Sequence, residues 1–163
     1  MHLPVIYTIG VYGVSEKDFF QKLVDNDIDT FCDIRRRRAV RGTQYAFANS
    51  QRLQEKLGSL SIKYVYELGL APTHEIIELQ NHFDETHKVQ RRKREELSTV
   101  FKTNYENRIL SNFDMEEFMK NLEKAGSKKT VLFCVERSPD ACHRSLVTNK
   151  MKKTYPAIKV INL

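Results

Sequence analysis

Tryptophan is absent from this 163-residue chain, and cysteine (3), proline (4) and glycine (6) are scarce. With three cysteines, Cys32, Cys134 and Cys142, a disulfide-stapled scaffold is excluded, and the thiols are read as reduced. So few glycines and prolines exclude collagen-like and low-complexity chains. No apolar run reaches the roughly 18 to 20 residues that cross a bilayer, so no membrane partner is expected. The opening segment, Met1 to Ile6, has no basic stretch leading into an apolar core. The expectation is therefore a protein without an export signal, located in the cytoplasm. Acidic residues are the remaining shortage: 21 Asp and Glu stand against 27 Lys and Arg, a net charge of +6.

What is present is ordinary for a globular chain: 40% hydrophobic and 29% charged residues, in a length that suits one domain over residues 1–163. The excess positive charge points to an anionic partner and is unevenly spread. Arg35, Arg36, Arg37, Arg38 and Arg41 fall together, with no acidic residue after them until Glu55. Lys88, Arg91, Arg92, Lys93 and Arg94 form a second cluster, bracketed by Asp84, Glu85, Glu95 and Glu96 at helical spacings. That bracketing predicts a solvated helix face.

Strand and helix patterns alternate along the chain. Val5–Ile9 is a short apolar strand ended by Gly10, Ser15 opens a helix carrying Phe19, Phe20 and Leu23, and Ile28–Ile34 is a second strand. A helix with Leu53 and Leu57 then precedes a third strand at Ile62–Tyr66. From Pro72 to Gly126 there is no intervening proline or glycine, which predicts a long helical excursion over about 73–112 and a helix starting at Asp114. Thr130–Val135 is apolar at both parities, as a central parallel strand is. Ser138-Pro139 has the pattern of a helix start running through Leu146 and Met151, and Ile158–Leu163 reads as the last strand. The predicted fold is α/β: one Rossmann-like domain with a mostly parallel sheet of about five strands and helices on both faces.

Open parallel sheets bind ligands at the carboxyl ends of their strands. Here that rim receives Thr8, Gly10, Tyr12 and Gly13 from the first strand, Asp33, Arg35 and the arginine run from the second, and Glu136 with the Ser138-Pro139 turn from the central one. A helix N-terminus over 139–143 would hold a phosphate or carboxylate, with Arg35 and Arg144 as bidentate anchors and Gly10 allowing close approach of backbone. Cys142, beside His143 and Arg144, is the candidate nucleophile or else a small core residue, His143 is a candidate acid or base or a structural histidine, and Asp33 and Glu136 are either a catalytic carboxylate pair or the ion-pair partners of Arg35 and Arg144. No Cys-x5-Arg phosphatase loop is present, since Asp140 and Thr148 occupy the sixth positions after Cys134 and Cys142. Two glycines do not make a dinucleotide fingerprint, so no cofactor is assigned. Without a C-x2-C pair, and with Cys32 and Cys134 inside strands, the spacing argues against a metal centre.

The string Cys134-Val135-Glu136, Pro139, Cys142-His143-Arg144, together with Thr8-Ile9-Gly10, Asp33-Ile34-Arg35, Phe47, Tyr64 and Leu68-Gly69, resembles the family called domain of unknown function 488. The resemblance spans nearly the whole chain. It implies an α/β sheet protein of bacterial or archaeal type and carries no settled activity. Against the usual pattern, extra arginines follow Asp33-Ile34-Arg35, Leu70 replaces a glycine, and Val11-Tyr12-Gly13 replaces a histidine-containing turn. Two readings of function emerge. One is an enzyme or ligand-binding protein acting on a phosphate-bearing substrate, a nucleotide or nucleic acid. The other is a non-catalytic nucleic-acid-binding module that uses the Arg35–Arg41 and Arg91–Arg94 clusters.

Overall fold

A computed structural model describes residues 1–163. Five apolar segments form the strands β1 (Val5–Ile9), β2 (Thr30–Asp33), β3 (Lys63–Tyr66), β4 (Lys129–Phe133) and β5 (Val160–Asn162). All pair in parallel, in the order β3-β2-β4-β1-β5. β4, buried along nearly all its length, is the central strand, as its apolar sequence requires. No helix is long and apolar enough to cross a membrane.

The helices are α1 (Glu16–Asp25), α2 (Ser50–Ser59), α3 (His74–Thr86), α4 (Thr99–Tyr105, continued by a π turn at Glu106–Leu110), α5 (Met115–Lys124) and α6 (Arg144–Thr154). Their starts are set by side-chain caps: Ser15 accepts from Asp18 N, Thr73 from Ile76 N, Ser98 from Phe101 N and Asp114 from Glu117 N. Crossovers between parallel strands are right-handed, so connections running in opposite directions along the sheet cover opposite faces. β1 to β2 and β2 to β3 run one way and place α1 and α2 on one face. β3 to β4 and β4 to β5 run back and place α5 and α6 on the other. On the first face Phe19 meets Phe31, Phe47 and Phe133 with ring centroids 5.3–6.3 Å apart, which locks α1 onto the strands.

Two segments differ from expectation. The excursion is two helices, with an irregular stretch at 87–98 between them that holds only one 3-10 turn, Arg91–Lys93. Lys88 adopts φ +55° as the chain leaves α3, and Arg94 turns inward to pair with Asp84 at 2.7 Å and with Glu136 at 3.2 Å. Buried pairing of Arg94 wins over the solvated helix face that local charge spacing suggests. The second difference is at Ser138-Pro139. Ser138 does cap, accepting from Asp140 N, but the turn it starts ends after Ala141. Cys142 is extended (φ −145°, ψ 159°), and α6 begins only at Arg144.

Two positions fix how the strand ends meet. Asp29, just before β2, accepts hydrogen bonds from Lys128 N, Lys129 N, Ser127 Oγ and Thr30 Oγ1, and so ties the start of β2 to the start of β4. Gly10, after β1, lies under the chain leaving β4: a Cβ there would sit 2.0 Å from the Glu136 carbonyl oxygen and 2.8 Å from an Arg144 nitrogen. The glycine thus serves contact between two backbone segments.

Gly10→Ala is expected to destabilise the fold by at least about 1–3 kcal/mol. Gly58→Ala in α2, where a Cβ meets nothing within 4 Å, should instead stabilise it by up to about 1 kcal/mol. Urea unfolding of both variants checks the pair. Burial pushes the Asp29 carboxyl up, but its hydrogen bonds together hold it below its ordinary value. A depressed carboxylate stabilises above its unfolded pKa, and that stability is lost as pH falls through the folded value. Asp29→Asn should therefore cost about 1–3 kcal/mol at neutral pH. The gap to the parent protein should shrink below the carboxylate range, and a gap unchanged across unfolding curves at falling pH would refute this role.

Candidate functional site

β4 sends its chain to one face of the sheet while both its neighbours send theirs to the other, and this divergence opens a crevice at the carboxyl end of β4. A cleft of about 520 Å³ occupies it. Tyr12 after β1, the arginine loop after β2, Pro72 and His74 after β3, and Cys134 to Glu136 after β4 form its walls. The 87–98 segment completes it by bringing Arg91, Arg92 and Arg94 over the same space. The two basic clusters, separate in sequence, thus face each other across one cavity.

Seven arginines line the cleft: Arg35, Arg36, Arg37, Arg41, Arg91, Arg92 and Arg94. Three are paired with carboxylates, Arg35 with Asp33, Arg91 with Glu136, and Arg94 with Asp84 and Glu136. The other four, Arg36, Arg37, Arg41 and Arg92, have no carboxylate partner. Arg92 is nonetheless held in place, 4.9 and 5.2 Å from the rings of Tyr12 and Tyr45 and donating to the Arg41 carbonyl at 2.8 Å. Arg36 is held by the Pro72 carbonyl, at 2.9 Å.

Asp33 and Arg35 have structural duties. The Asp33 carboxylate accepts from Arg35 N, Nε and Nη2 and from the Tyr64 hydroxyl, and it does not line the cleft. Burial pushes the Tyr64 phenol up to about 12, so it stays a donor. Arg35 is buried, lies 4.6 Å over the Phe133 ring and donates its remaining arm to the Ala48 carbonyl. Together they clamp the start of the arginine loop to the sheet. Glu136 is buried in the cleft wall, where its Oε1 accepts from Arg91 Nε at 3.0 Å and forms an ion pair with Arg94 Nη2 at 3.2 Å. Burial raises its pKa, opposed by Arg94 and Arg91 and reinforced by charge on Cys134.

At the floor, Cys134, Cys142 and His143 converge, with both sulfurs and a ring nitrogen within 4.8 Å of one another. His143 Nε2 lies 2.7 Å from the Ile34 carbonyl, which can only accept. Nε2 therefore carries a proton, and Nδ1 faces the Cys142 sulfur at 3.8 Å. The Cys142 sulfur also accepts from Arg144 N at 3.4 Å. A hydrogen bond from the Cys142 thiol, with His143 and the Arg144 guanidinium nearby, holds the Cys134 thiol below the usual range despite burial. Burial and the neighbouring Cys134 push Cys142 the other way. Sequence context points to Cys142 as the nucleophile, and the structure sets the Cys134 thiol beside it.

Arg144 is fully buried and donates to the carbonyls of Cys134 and Glu136, so it braces the β4 exit and does not reach into the cleft. The N-terminal anion cradle expected at 139–143 is not formed, because α6 starts at Arg144 and the first free amide there binds sulfur. Thr8 is also away from the cleft, donating to Asn162 on β5. Gly10 faces the Glu136 backbone. Of the residues singled out from sequence, Glu136, Cys142, His143 and Arg35 line the cleft, and Thr8, Gly10, Asp33 and Arg144 support it from outside. Tyr12 and Cys134, which the sequence places at the strand-end rim without a chemical role, line the cleft as well, as do Arg91, Arg92 and Arg94 of the second basic cluster.

No curated protein and no solved structure matches this chain. A family model does, over residues 15–151, a span that includes the arginine loop, the 87–98 segment, and the Cys134 to Arg144 string at the cleft floor. The chain belongs to the family described as Domain of unknown function DUF488.

Proposed function

We propose that the cleft binds a phosphate-bearing ligand, a nucleotide or a nucleic-acid end, and that the protein is an enzyme acting on it. The observation that carries this reading is the set of four cleft arginines, Arg36, Arg37, Arg41 and Arg92, that no carboxylate neutralises. Guanidinium groups match phosphate oxygens in charge and geometry. The cavity volume lies in the range of small-molecule sites. The chemical groups at hand are those of the floor and wall. They are the Cys134 thiol as nucleophile or ligand, His143 with a fixed tautomer, and Glu136 as acid or base.

A second reading, backbone binding to a longer nucleic acid without catalysis, draws on the same arginines. Salt separates the two. A protein that neutralises many phosphates loses roughly 10³ to 10⁵ in affinity between about 50 and 200 mM salt, whereas a pocket holding one small ligand responds far less.

Isothermal titration with nucleoside mono- and diphosphates should give saturable binding. Arg37→Ala, Arg41→Ala and Arg92→Ala should each weaken it by roughly tenfold to a hundredfold, the worth of a charge-assisted hydrogen bond. Glu136→Gln removes a competing negative charge and should tighten binding a few-fold at neutral pH. Equal affinity across the parent protein and all three arginine variants would overturn the reading.

A further inference from the structure

The cluster at the cleft floor has a composition that anion binding does not require. Two thiols and an imidazole, all buried, bring their donor atoms within 4.8 Å of one another with no carboxylate among them. Sulfur and imidazole donors select thiophilic cations, Zn²⁺ foremost. In a tetrahedral zinc site with Zn–S of about 2.3 Å and Zn–N of about 2.0 Å, neighbouring donor atoms stand roughly 3.5–3.8 Å apart. Cys142 Sγ and His143 Nδ1 already stand at 3.8 Å.

The surroundings of the three donors supply what such a site needs. The Ile34 carbonyl accepts a hydrogen bond from His143 Nε2–H, which leaves the Nδ1 lone pair facing the Cys142 sulfur. Metal-binding histidines are oriented and made more basic by this kind of partner. Arg144 N donates to the Cys142 sulfur, an interaction that strengthens when the sulfur is a thiolate. A disulfide would explain the two cysteines but would leave the imidazole and its fixed tautomer without a purpose.

We propose that Cys134, Cys142 and His143 bind one Zn²⁺ through three protein ligands, with the fourth coordination position open to the arginine-lined cleft. All three residues border that cleft, and no fourth Cys, His, Asp or Glu joins the cluster. The open position is filled by water or by an oxygen of the bound ligand, the arrangement of metal sites that act on substrates rather than only stabilise a fold. This assignment is independent of whether the arginines bind phosphate.

Reduced, metal-free protein titrated with Co²⁺ is the test, read by near-ultraviolet sulfur-to-cobalt charge-transfer absorption. Saturation at one Co²⁺ per chain and displacement by equimolar Zn²⁺ are expected. Cys134→Ser and Cys142→Ser should each abolish the charge-transfer band or weaken Co²⁺ binding at least tenfold, and Cys32→Ala and Arg37→Ala should leave it unchanged. Parent protein provides a check free of folding effects. Equimolar Zn²⁺ should protect Cys134 and Cys142 from alkylation, mapped peptide by peptide by mass spectrometry. Absence of the charge-transfer band together with absence of protection in the parent protein overturns the site, as does a band that survives undiminished in folded Cys134→Ser.

Discussion

A guanidinium buried without a carboxylate is the constraint on which the rest of this structure turns. Arg144 is 1% exposed, its two terminal nitrogens donate to the carbonyls of Cys134 and Glu136, and its Nε has no partner. Taking a cation out of water costs several kcal/mol unless something negative or strongly polar replaces the solvent. Two carbonyls supply part of that replacement. The cysteine sulfurs are the other polarisable groups beside it, and the Cys142 sulfur accepts from Arg144 N. Cation and thiol cluster therefore form one electrostatic unit, and neither is expected to keep its properties without the other. The same hydrogen bonds hold the chain leaving β4 in the path that presses it onto Gly10. In this way one side chain sets the geometry of the crevice edge.

A second layer of constraint lies in how the acidic groups are distributed. Asp33 is committed to Arg35, Asp84 to Arg94, and Glu136 to Arg91 and Arg94. These pairs hold two irregular segments, the loop after β2 and the 87–98 stretch, against the sheet and against α3. Neither segment has regular backbone hydrogen bonding to rely on, so buried ion pairs and side-chain contacts to carbonyls take over that task. Arg94 does both, donating also to the Ala141 carbonyl at 3.0 Å. The turn carrying Cys142 and the segment that roofs the cleft are thereby tied to each other.

The sheet was legible in the sequence because its signals are local. Apolar runs, caps such as Ser15 and Asp114, and the strand-helix-strand spacing each report on a few neighbouring residues, and together they gave a parallel α/β fold. The 87–98 segment was not legible, for a physical reason. Its charges alternate at helical spacings, but Arg94 gains more from Asp84 and distant Glu136 in the interior than from near neighbours in water. Absence of glycine and proline permits a helix without demanding one, as Lys88 at positive φ demonstrates. Ser138-Pro139 misled similarly, since the same capping chemistry serves a single 3-10 turn and a full helix. The rim of the sheet pointed to the crevice, but which rim residues line the cleft depended on tertiary pairing. Asp33 was drawn away by Arg35 and Tyr64, and Cys134 was drawn in by its neighbours.

Charge is graded along the cleft, and that gradient constrains any chemistry performed there. The mouth is positive, because Arg37, Arg41 and Arg92 are exposed and lack acidic partners. The floor is soft and electron-rich, with two sulfurs and an imidazole beside the buried Arg144. A Zn²⁺ held by two thiolates and a neutral imidazole would carry no net charge, so occupancy of the floor would act on a ligand through the open coordination position rather than through the overall charge of the cleft. The mouth arginines would then set which ligands enter and how they are oriented, and the floor would set what happens to the end that reaches it. Such a division places affinity and reactivity on different residues. Substitution at the mouth should move ligand affinity while leaving metal occupancy alone, a separation that a single undivided site would not permit.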